Sequence, residues 1–517
     1  MFDLIITNGE VHDGTGGPAR RADVAISGER IVAVGDLAGA EARTQLDAAG
    51  RIVCPGFIDV HSHSDAYILL EPTAPSKIFQ GVTTEVVGNC GASTAPRQGA
   101  YLMPSDWRDQ KYPGAWSSVA EYRALLAQVH PALNIALLIG HNSLRAGTIG
   151  YEARAASADE IRAMGALLER ALDEGGAGLS TGLIYTPGLY STPEEVHALS
   201  AVAARRGKMY TSHMRSEGDQ LLEALDETLA IGRATGVRVQ VSHLKTSGRR
   251  NWPKLAAALE KIRAAQAAGV RVAADRYPYT ASCTDLDVIL PDWASGGGRD
   301  AVLARLRDAA TRKKLRDELV HDTDWSAIMV GSLSRPDLAQ FRGQRLPDIA
   351  AALGLEPVDA ALHLLDVDEL RPSAIFFGMC EENMWRILAE PWVMVGSDAS
   401  LRALTGPLAV DFPHPRAFGT FPRLLRAALD GRTVPLPEMI RKMTSLPADH
   451  FQLKDRGRLV PGAYADVVVF DPATIRDCAT FAAPRQYAEG LAHVIVNGRP
   501  TLRDGAFTDG RGGRFLD

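Results

Sequence analysis

The chain has 517 residues, of which 46% are hydrophobic and 23% charged, with 56 basic against 62 acidic side chains and a formal net charge of -6. This length exceeds one small core, and the composition excludes a largely disordered chain. The modest acidic balance argues against a nucleic-acid partner, which needs an excess of basic residues gathered on one face.

The first residues, "MFDLIITNGE", show no basic stretch leading into a long apolar one. No window approaches the roughly 18 apolar residues of a membrane helix, so no membrane partner is expected and the expected location is cytoplasmic. "DLIITNG" and "ADVAISGERIVAVG" read as short strands, with Gly28 and Glu29 turning a hairpin between two of them. "GRLVPGAYADVVVFDP" and "AHVIVNGRPTLRDG", near the other end, have the same texture. Residues 1–56 and 456–517 are therefore expected to complete one small β-sandwich domain.

Between them, over 57–455, apolar strand-like runs alternate with helices. Eight strands are predicted: 57–63, 84–90, 134–141, 176–182, 208–214, 237–245, 270–277 and 392–398. Ser118 with Glu121, Ser157 with Glu160, and Thr192 with Pro193 and Glu195 carry the signature of a capping box, in which a side-chain oxygen takes a free N–H at the helix start. Apolar strands alternating with helices imply parallel strands covered on both sides, and eight such units imply a closed (β/α)8, TIM-like barrel. After the seventh strand the interval is too long for one helix and holds "DAVLARLRDAATRKKLRDELVHD". An inserted subdomain over about 284–343, covering the barrel mouth, is expected there.

A parallel barrel carries its active site where the strands end. "PGFIDVHSHSD" ends the first strand with His61 and His63, which share a face if the strand alternation continues. Cys90 ends the second predicted strand, His213 the fifth, His243 the sixth and Asp398 the eighth. A single strand-end histidine is most often an ordinary polar residue, and a single buried cysteine behaves as a small hydrophobe. Ligand-type residues at five strand ends together point instead to metal. A thiolate, four imidazoles and a carboxylate suit zinc, which takes sulfur, nitrogen and oxygen, and they could build two positions. The five cysteines, Cys54, Cys90, Cys283, Cys380 and Cys478, are odd in number and scattered, so no disulfide framework is expected.

Two patterns in the chain mimic other chemistry. "GLSTG" at 178–182 fits the G-x-S-x-G of serine hydrolases, but Pro187 and Gly188 resist the immediate helix that a nucleophile elbow needs. "SHLK" at 242–245 mimics Ser-x-x-Lys, yet on a strand residues three apart face opposite sides.

The His-x-His of the first strand, the later histidines and the aspartate of the eighth strand resemble the amidohydrolase superfamily. "GVTTEVVGNCG", "GLSTGLIYTPG", "HLK", "YPY", "HPRAFGTFPR" and "MTSLPA" are similar, more narrowly, to the D-aminoacylase group, the N-acyl-D-amino-acid deacylases, nearly end to end. The fourth strand carries "GLSTG" and no lysine, so a carboxylated lysine cannot bridge two metals. The resemblance implies that Cys90 takes the bridging place, that Cys90, His213 and His243 hold one tightly bound zinc, and that His61, His63 and Asp398 line a weaker second position. It further implies zinc-dependent hydrolysis of a small-molecule N-acyl-D-amino acid, with metal-activated water as nucleophile and Asp398 as general base and acid. Lys245, Tyr277 and Arg416 match residues that grip the substrate's α-carboxylate in the group, and Cys283 stands where a serine is usual. Two other readings remain open: another amidohydrolase, such as a cyclic-amide hydrolase or a dipeptidase releasing a D-residue, and a non-catalytic barrel scaffold. Side-chain preference, D over L selectivity, occupancy of the second metal position and oligomeric state are not set by these residues.

Overall fold

The computed structural model describes residues 1–108 and 110–517. Its centre is an eight-stranded parallel sheet: Phe57–Asp59, Val82–Val87, Asn134–Gly140, Gly178–Gly182, Met209–His213, Arg238–Val241, Val272–Arg276 and Val393–Val395. Each strand pairs with the next in chain order, apart from the long excursion between the seventh and eighth. The ring closes through a parallel bridge between Ser62 and Ala399 and a 2.8 Å hydrogen bond from Asp398 N to the His61 carbonyl. All eight predicted strands are present, each shorter than expected; in the first, second, sixth and eighth the ligand-type residues have left the ladder.

The helices follow from local sequence. Ala158–Asp173 starts at a complete capping box of Ser157 and Glu160, worth about 1 kcal/mol, and buries Met164, Leu168, Ala171 and Leu172, spaced to share one face. Ser118 and Glu121 cap Val119–Val129 in the same way. The third expected box is only half formed. Thr192 Oγ1 accepts the Glu195 N–H at 3.3 Å, but the Glu195 carboxylate turns inward to His141 Nε2 (2.7 Å) and Arg145 Nη1 (2.5 Å). A buried imidazole and guanidinium outcompete the backbone N–H of half-buried Thr192 for it.

The two chain ends share one nine-stranded sheet, in which Val467–Phe470 from the far end pairs antiparallel with Ile52–Pro55 from the near end. Strand Phe2–Val11 forks: its first half pairs with Ala42–Asp47 and its last residues with Ile52–Pro55. The expected sandwich is thus hydrogen-bonded as one continuous sheet that divides at this fork. Its core draws Leu4, Ile6, Val24 and Ile26 together with Leu459, Val467, Val469 and Ile495.

The excursion after the seventh barrel strand runs on past the expected end at 343. It contains a three-stranded antiparallel sheet of Ser282–Asp285, Ile328–Val330 and Ser373–Phe376, and its own hydrophobic cluster extends from Leu286 to Ala374. The late strand "SAIF" has partners on both sides that lie far away in sequence, which is why no local signal marks it. Among the described residues, no helix is long and apolar enough to cross a membrane.

Candidate metal centre

Most of the ligand-type residues sit just past a strand end, where the backbone turns to close over the barrel. Cys90 lies three residues beyond Val87, His243 two beyond Val241 and Asp398 three beyond Val395; His213 is the last residue of its strand. Cys90, His243 and Asp398 adopt left-handed backbone, with φ of 54°, 36° and 51°. Such a conformation costs a non-glycine residue of order 1–3 kcal/mol and persists only where the surroundings impose it. Close neighbours leave no slack: a Cβ at Gly182, the last residue of "GLSTG", would stand 2.0 Å from the Cys90 carbonyl oxygen. That stretch is the fourth barrel strand, and Ser180 Oγ donates to the Gly88 carbonyl at 2.5 Å, so it forms no nucleophile elbow.

The six expected metal residues meet in two overlapping groups, His61, His63, Cys90 and Asp398, and Cys90, His213 and His243, with the ligand atoms of each group within 4.8 Å of one another. Cys90 belongs to both. Its sulfur is 3.2 Å from His61 Nε2 and 3.5 Å from His243 Nε2, and His243 Nε2 is 2.9 Å from His213 Nδ1. Asp398 Oδ1 lies 3.1 Å from His63 Nε2 and 3.3 Å from His61 Nε2.

Carboxylates behind the histidines fix how the rings face. Asp275, on the seventh strand, takes His61 Nδ1–H at 3.1 Å and the His243 backbone N–H at 2.9 Å on one oxygen, and Gln240 Nε2 at 2.7 Å on the other. With Nδ1 held by Asp275, His61 Nε2 is the ring atom turned to the Cys90 sulfur and the Asp398 carboxylate, a convergence that a cation satisfies. Glu217 Oε1 stands 2.8 Å from His243 Nδ1 and 2.5 Å from Lys245 Nζ. Burial alone would raise the Cys90 thiol, but the His61 and His243 rings beside it hold it well below the usual thiol range, which favours the metal-binding thiolate. Burial likewise opposes ionisation of Asp398, and Arg416, His61 and His243 overcome it, keeping the carboxyl well below its ordinary value. The donor set therefore fits zinc: one thiolate, four imidazoles and a carboxylate, at least two of the rings oriented from behind.

The remaining expected residues divide. Arg416, at the start of helix Arg416–Leu429, places Nη1 2.8 Å from Asp398 Oδ2 and donates from Nη2 to the Cys283 carbonyl at 3.2 Å. Lys245 Nζ is 2.7 Å from His243 Nδ1 and bound to Glu217, so its ammonium is already shared. Burial pushes the Cys283 thiol up to about 11, leaving it neutral. Lys245, Cys283 and Arg416 line the cavity above the centre, whose volume is about 1980 Å³. Tyr277 is fully buried and is not on that wall; its ring lies under the Arg416 guanidinium, 4.6 Å away.

Sequence reasoning missed Asp275, Glu217 and Tyr185. Asp275 has a usable signal, since it is a carboxylate two residues before Tyr277 on a barrel strand that opens with three apolar residues. Tyr185 lies inside "GLSTGLIYTPG" but has no ligand-type chemistry to single it out, and Glu217 sits in a loop and carries no signal. The Tyr185 ring packs 4.9 Å from that of His213, and its hydroxyl accepts from Thr284 Oγ1 of the excursion at 3.1 Å.

A second buried network sets the first strand against the eighth. Lys77 Nζ reaches Asp59 Oδ2 (2.8 Å), Glu85 Oε1 (2.9 Å), Ser397 Oγ (2.9 Å) and the Ala399 carbonyl (3.0 Å). Ser62 Oγ donates to Glu85 at 2.5 Å, so Ser62 faces away from the centre while His61 and His63 on either side both reach Asp398.

A profile of the amidohydrolase family matches residues 45–502. The chain belongs to the amidohydrolase family. It is 41% identical over 505 residues to an N-acyl-D-glutamate deacylase of Alcaligenes xylosoxydans xylosoxydans, covering 96% of this chain and 93% of the relative. A D-aminoacylase of the same organism is 39% identical, with 100% of this chain and 97% of the relative covered. The crystal structure of an N-acyl-D-glutamate deacylase from Bordetella bronchiseptica, complexed with zinc and a phosphonate inhibitor that mimics the reaction's tetrahedral intermediate, superposes with a TM-score of 0.86 at 38% identity, over 100% of this chain and 99% of that one.

Proposed function

We propose that this amidohydrolase cleaves the amide bond of N-acyl-D-amino acids, releasing a carboxylate and a free D-amino acid. The observation that carries the reading is the Cys90 sulfur, shared between two clusters of imidazoles, with the ionised Asp398 and Arg416 beside it. Relatives near 40% identity over almost the whole chain are deacylases of this substrate class, which supports the same reading.

Cys90, His213 and His243 would hold a tightly bound zinc, and His61, His63 and Asp398 a weaker second ion. When bound, zinc lowers the pKa of a water to about 7 and polarises a carbonyl. Asp398 takes the proton of the attacking water and delivers it to the departing nitrogen, which an amide needs because an unprotonated amine leaves poorly. Glu217 and Asp275 keep His243 and His61 turned toward the centre. Arg416 and Lys245, cationic on the cavity wall, receive the α-carboxylate; Arg416 also holds Asp398 in its ionised form. Tyr277 acts from behind, as a platform under Arg416.

The test is an initial-rate screen of paired N-acetyl-D- and N-acetyl-L-amino acids, with zinc measured on the same preparation. Hydrolysis of D-substrates by zinc-loaded protein is expected. Cleavage of cyclic imides or dipeptides with no activity on open-chain N-acetyl-D-amino acids would replace this reading.

A further inference from the structure

The cavity above the centre is divided by charge. Its wall on the loops after the fifth to seventh strands carries Glu217, Asp219, Lys245, Arg249, Asp285 and Asp287. The wall on the loops after the first four strands is built otherwise: Tyr67, Tyr101, Leu102, Met103, Trp107 and Ile184 line it. Among the residues lining this side whose side chains are described, none is acidic or a lysine, and the one arginine, Arg108, donates from Nη2 to the Met103 carbonyl at 3.4 Å.

This apolar wall begins at the centre itself. Tyr67 follows His63 by four residues, and Tyr101 Oη donates to the carbonyl of Ser93, three residues past Cys90, at 2.8 Å. The Tyr67 and Trp107 rings pack edge to face, 6.4 Å apart, and Leu102 N donates to Tyr151 Oη at 3.3 Å, tying the segment to the loop after the third strand. Leu102 is nevertheless 47% exposed, an apolar side chain left open at the cavity rim. The volume of about 1980 Å³ exceeds the roughly 300–1,000 Å³ of an ordinary small-ligand site, so an N-acetyl group leaves most of it unfilled.

In a ring of eight strands, the sixth to eighth lie across from the second to fourth. A substrate with its α-carboxylate at Lys245 and Arg416 and its carbonyl beside Cys90 must send its acyl carbons away from those cations, onto the apolar wall. Resting on the deacylase reading above, we infer that this wall is an acyl-chain subsite and that the substrates carry a medium-length aliphatic acyl group, hexanoyl to octanoyl. The reaction is unchanged in kind: the amide C–N bond breaks, water's oxygen joins the acyl carbon as a fatty carboxylate, and its proton goes to the amine.

The experiment compares kcat/KM for the N-acetyl, N-butanoyl, N-hexanoyl and N-octanoyl derivatives of whichever D-amino acid is best as its N-acetyl form, using the zinc-loaded full chain. A fully buried methylene raises kcat/KM by about fourfold, so hexanoyl, with four more than acetyl, exceeds it by about tenfold even when they are only partly buried. Leu102→Asp, at an exposed position that should not impair folding, brings the hexanoyl-to-acetyl ratio down toward one. Hydrolysis of the N-acetyl form with kcat/KM flat or falling along the series overturns the subsite and leaves the deacylase reading standing. An unchanged ratio in Leu102→Asp overturns the place assigned to it, and failure to cleave any member overturns both readings.

Discussion

Arg416 Nη1 lies 2.8 Å from Asp398 Oδ2, joining the residue expected to grip substrate to the residue expected to move the proton. Both are almost fully buried, and their charges make each other's burial tolerable. Arg416→Ala therefore acts twice. Loss of a charge-assisted hydrogen bond to the α-carboxylate, about 1.5–3 kcal/mol, raises KM roughly 10- to 150-fold. Asp398 also loses its partner, so kcat falls as well. Arg416→Lys, which keeps the charge, recovers part of both. An unchanged KM removes Arg416 from the carboxylate grip, and a raised KM with unaltered kcat cuts its link to Asp398.

Chemistry and metal retention separate in two variants. Cys90, His213 and His243 form a group without Asp398. Asp398→Asn should keep one zinc per chain while turnover drops by about 10²–10⁴-fold, the usual worth of a positioned acid–base group. Cys90→Ser should lose zinc itself, since its sulfur is common to both groups. Elemental analysis beside kinetics decides this, and a Cys90→Ser protein with full zinc and activity contradicts the assignment.

Glu217, with no mark in the sequence, touches His243 and Lys245 at once. Burial opposes its charge, and Lys245, His243 and His213 hold its carboxyl well below the ordinary range. Glu217→Gln leaves the shape but removes the charge that orients His243. Zinc affinity, measured by competition with a chelator, should weaken by roughly 10- to 100-fold, the usual cost of losing a partner behind a metal-binding histidine. Equal zinc retention in the variant and the wild type would show that His243 needs no such support.

The barrel was legible because its eight strands are apolar runs of the right length and because ligand-type residues gather at their C-terminal ends, where chance scatters them elsewhere. His61 and His63 faced the same side as alternation required, although they lie past the ladder; the Ser62–Ala399 bridge extends strand geometry that far. Alternation could not anticipate the left-handed turns at Cys90, His243 and Asp398, because a strand pattern says nothing about where the chain leaves it. Tyr277, assigned to the α-carboxylate by resemblance alone, is fully buried with its ring beneath Arg416. Glu217 looks like any of 62 acidic residues until the fold brings it behind a histidine.

Lys77 offers a test of architecture apart from chemistry. It is fully buried between Asp59 and Glu85 and also reaches Ser397 and the Ala399 carbonyl, so it clamps the strand that carries His61 to the one that precedes Asp398. Lys77→Met keeps the length and leaves two buried carboxylates without a cation, at about 3–5 kcal/mol. A large fall in thermal midpoint, with zinc lost earlier on heating than in the wild type, is the expected result. A midpoint within a degree or two of the wild type would mean that the clamp contributes little.

Acid should find a weak point beneath the barrel, away from the metal. His450 closes helix Ser445–His450, and burial pushes its imidazole down to about 3, with Arg238 adding to the effect. Its folded-state pKa thus lies below the unfolded value of about 6.5. Above pH 6.5 the ring is neutral in both states and contributes no pH dependence. As pH falls from 6.5 toward 3, the unfolded chain takes a proton that the folded one refuses, so stability is lost at about 1.4 kcal/mol per pH unit. His450→Gln cannot titrate, and every other group titrates alike in both proteins, so the difference between them isolates this ring. Between pH 7.5 and 5 the wild-type thermal midpoint should drop further than that of His450→Gln, by an amount equivalent to about 2 kcal/mol. Parallel melting curves across that range would show that the buried ring accepts its proton without unfolding.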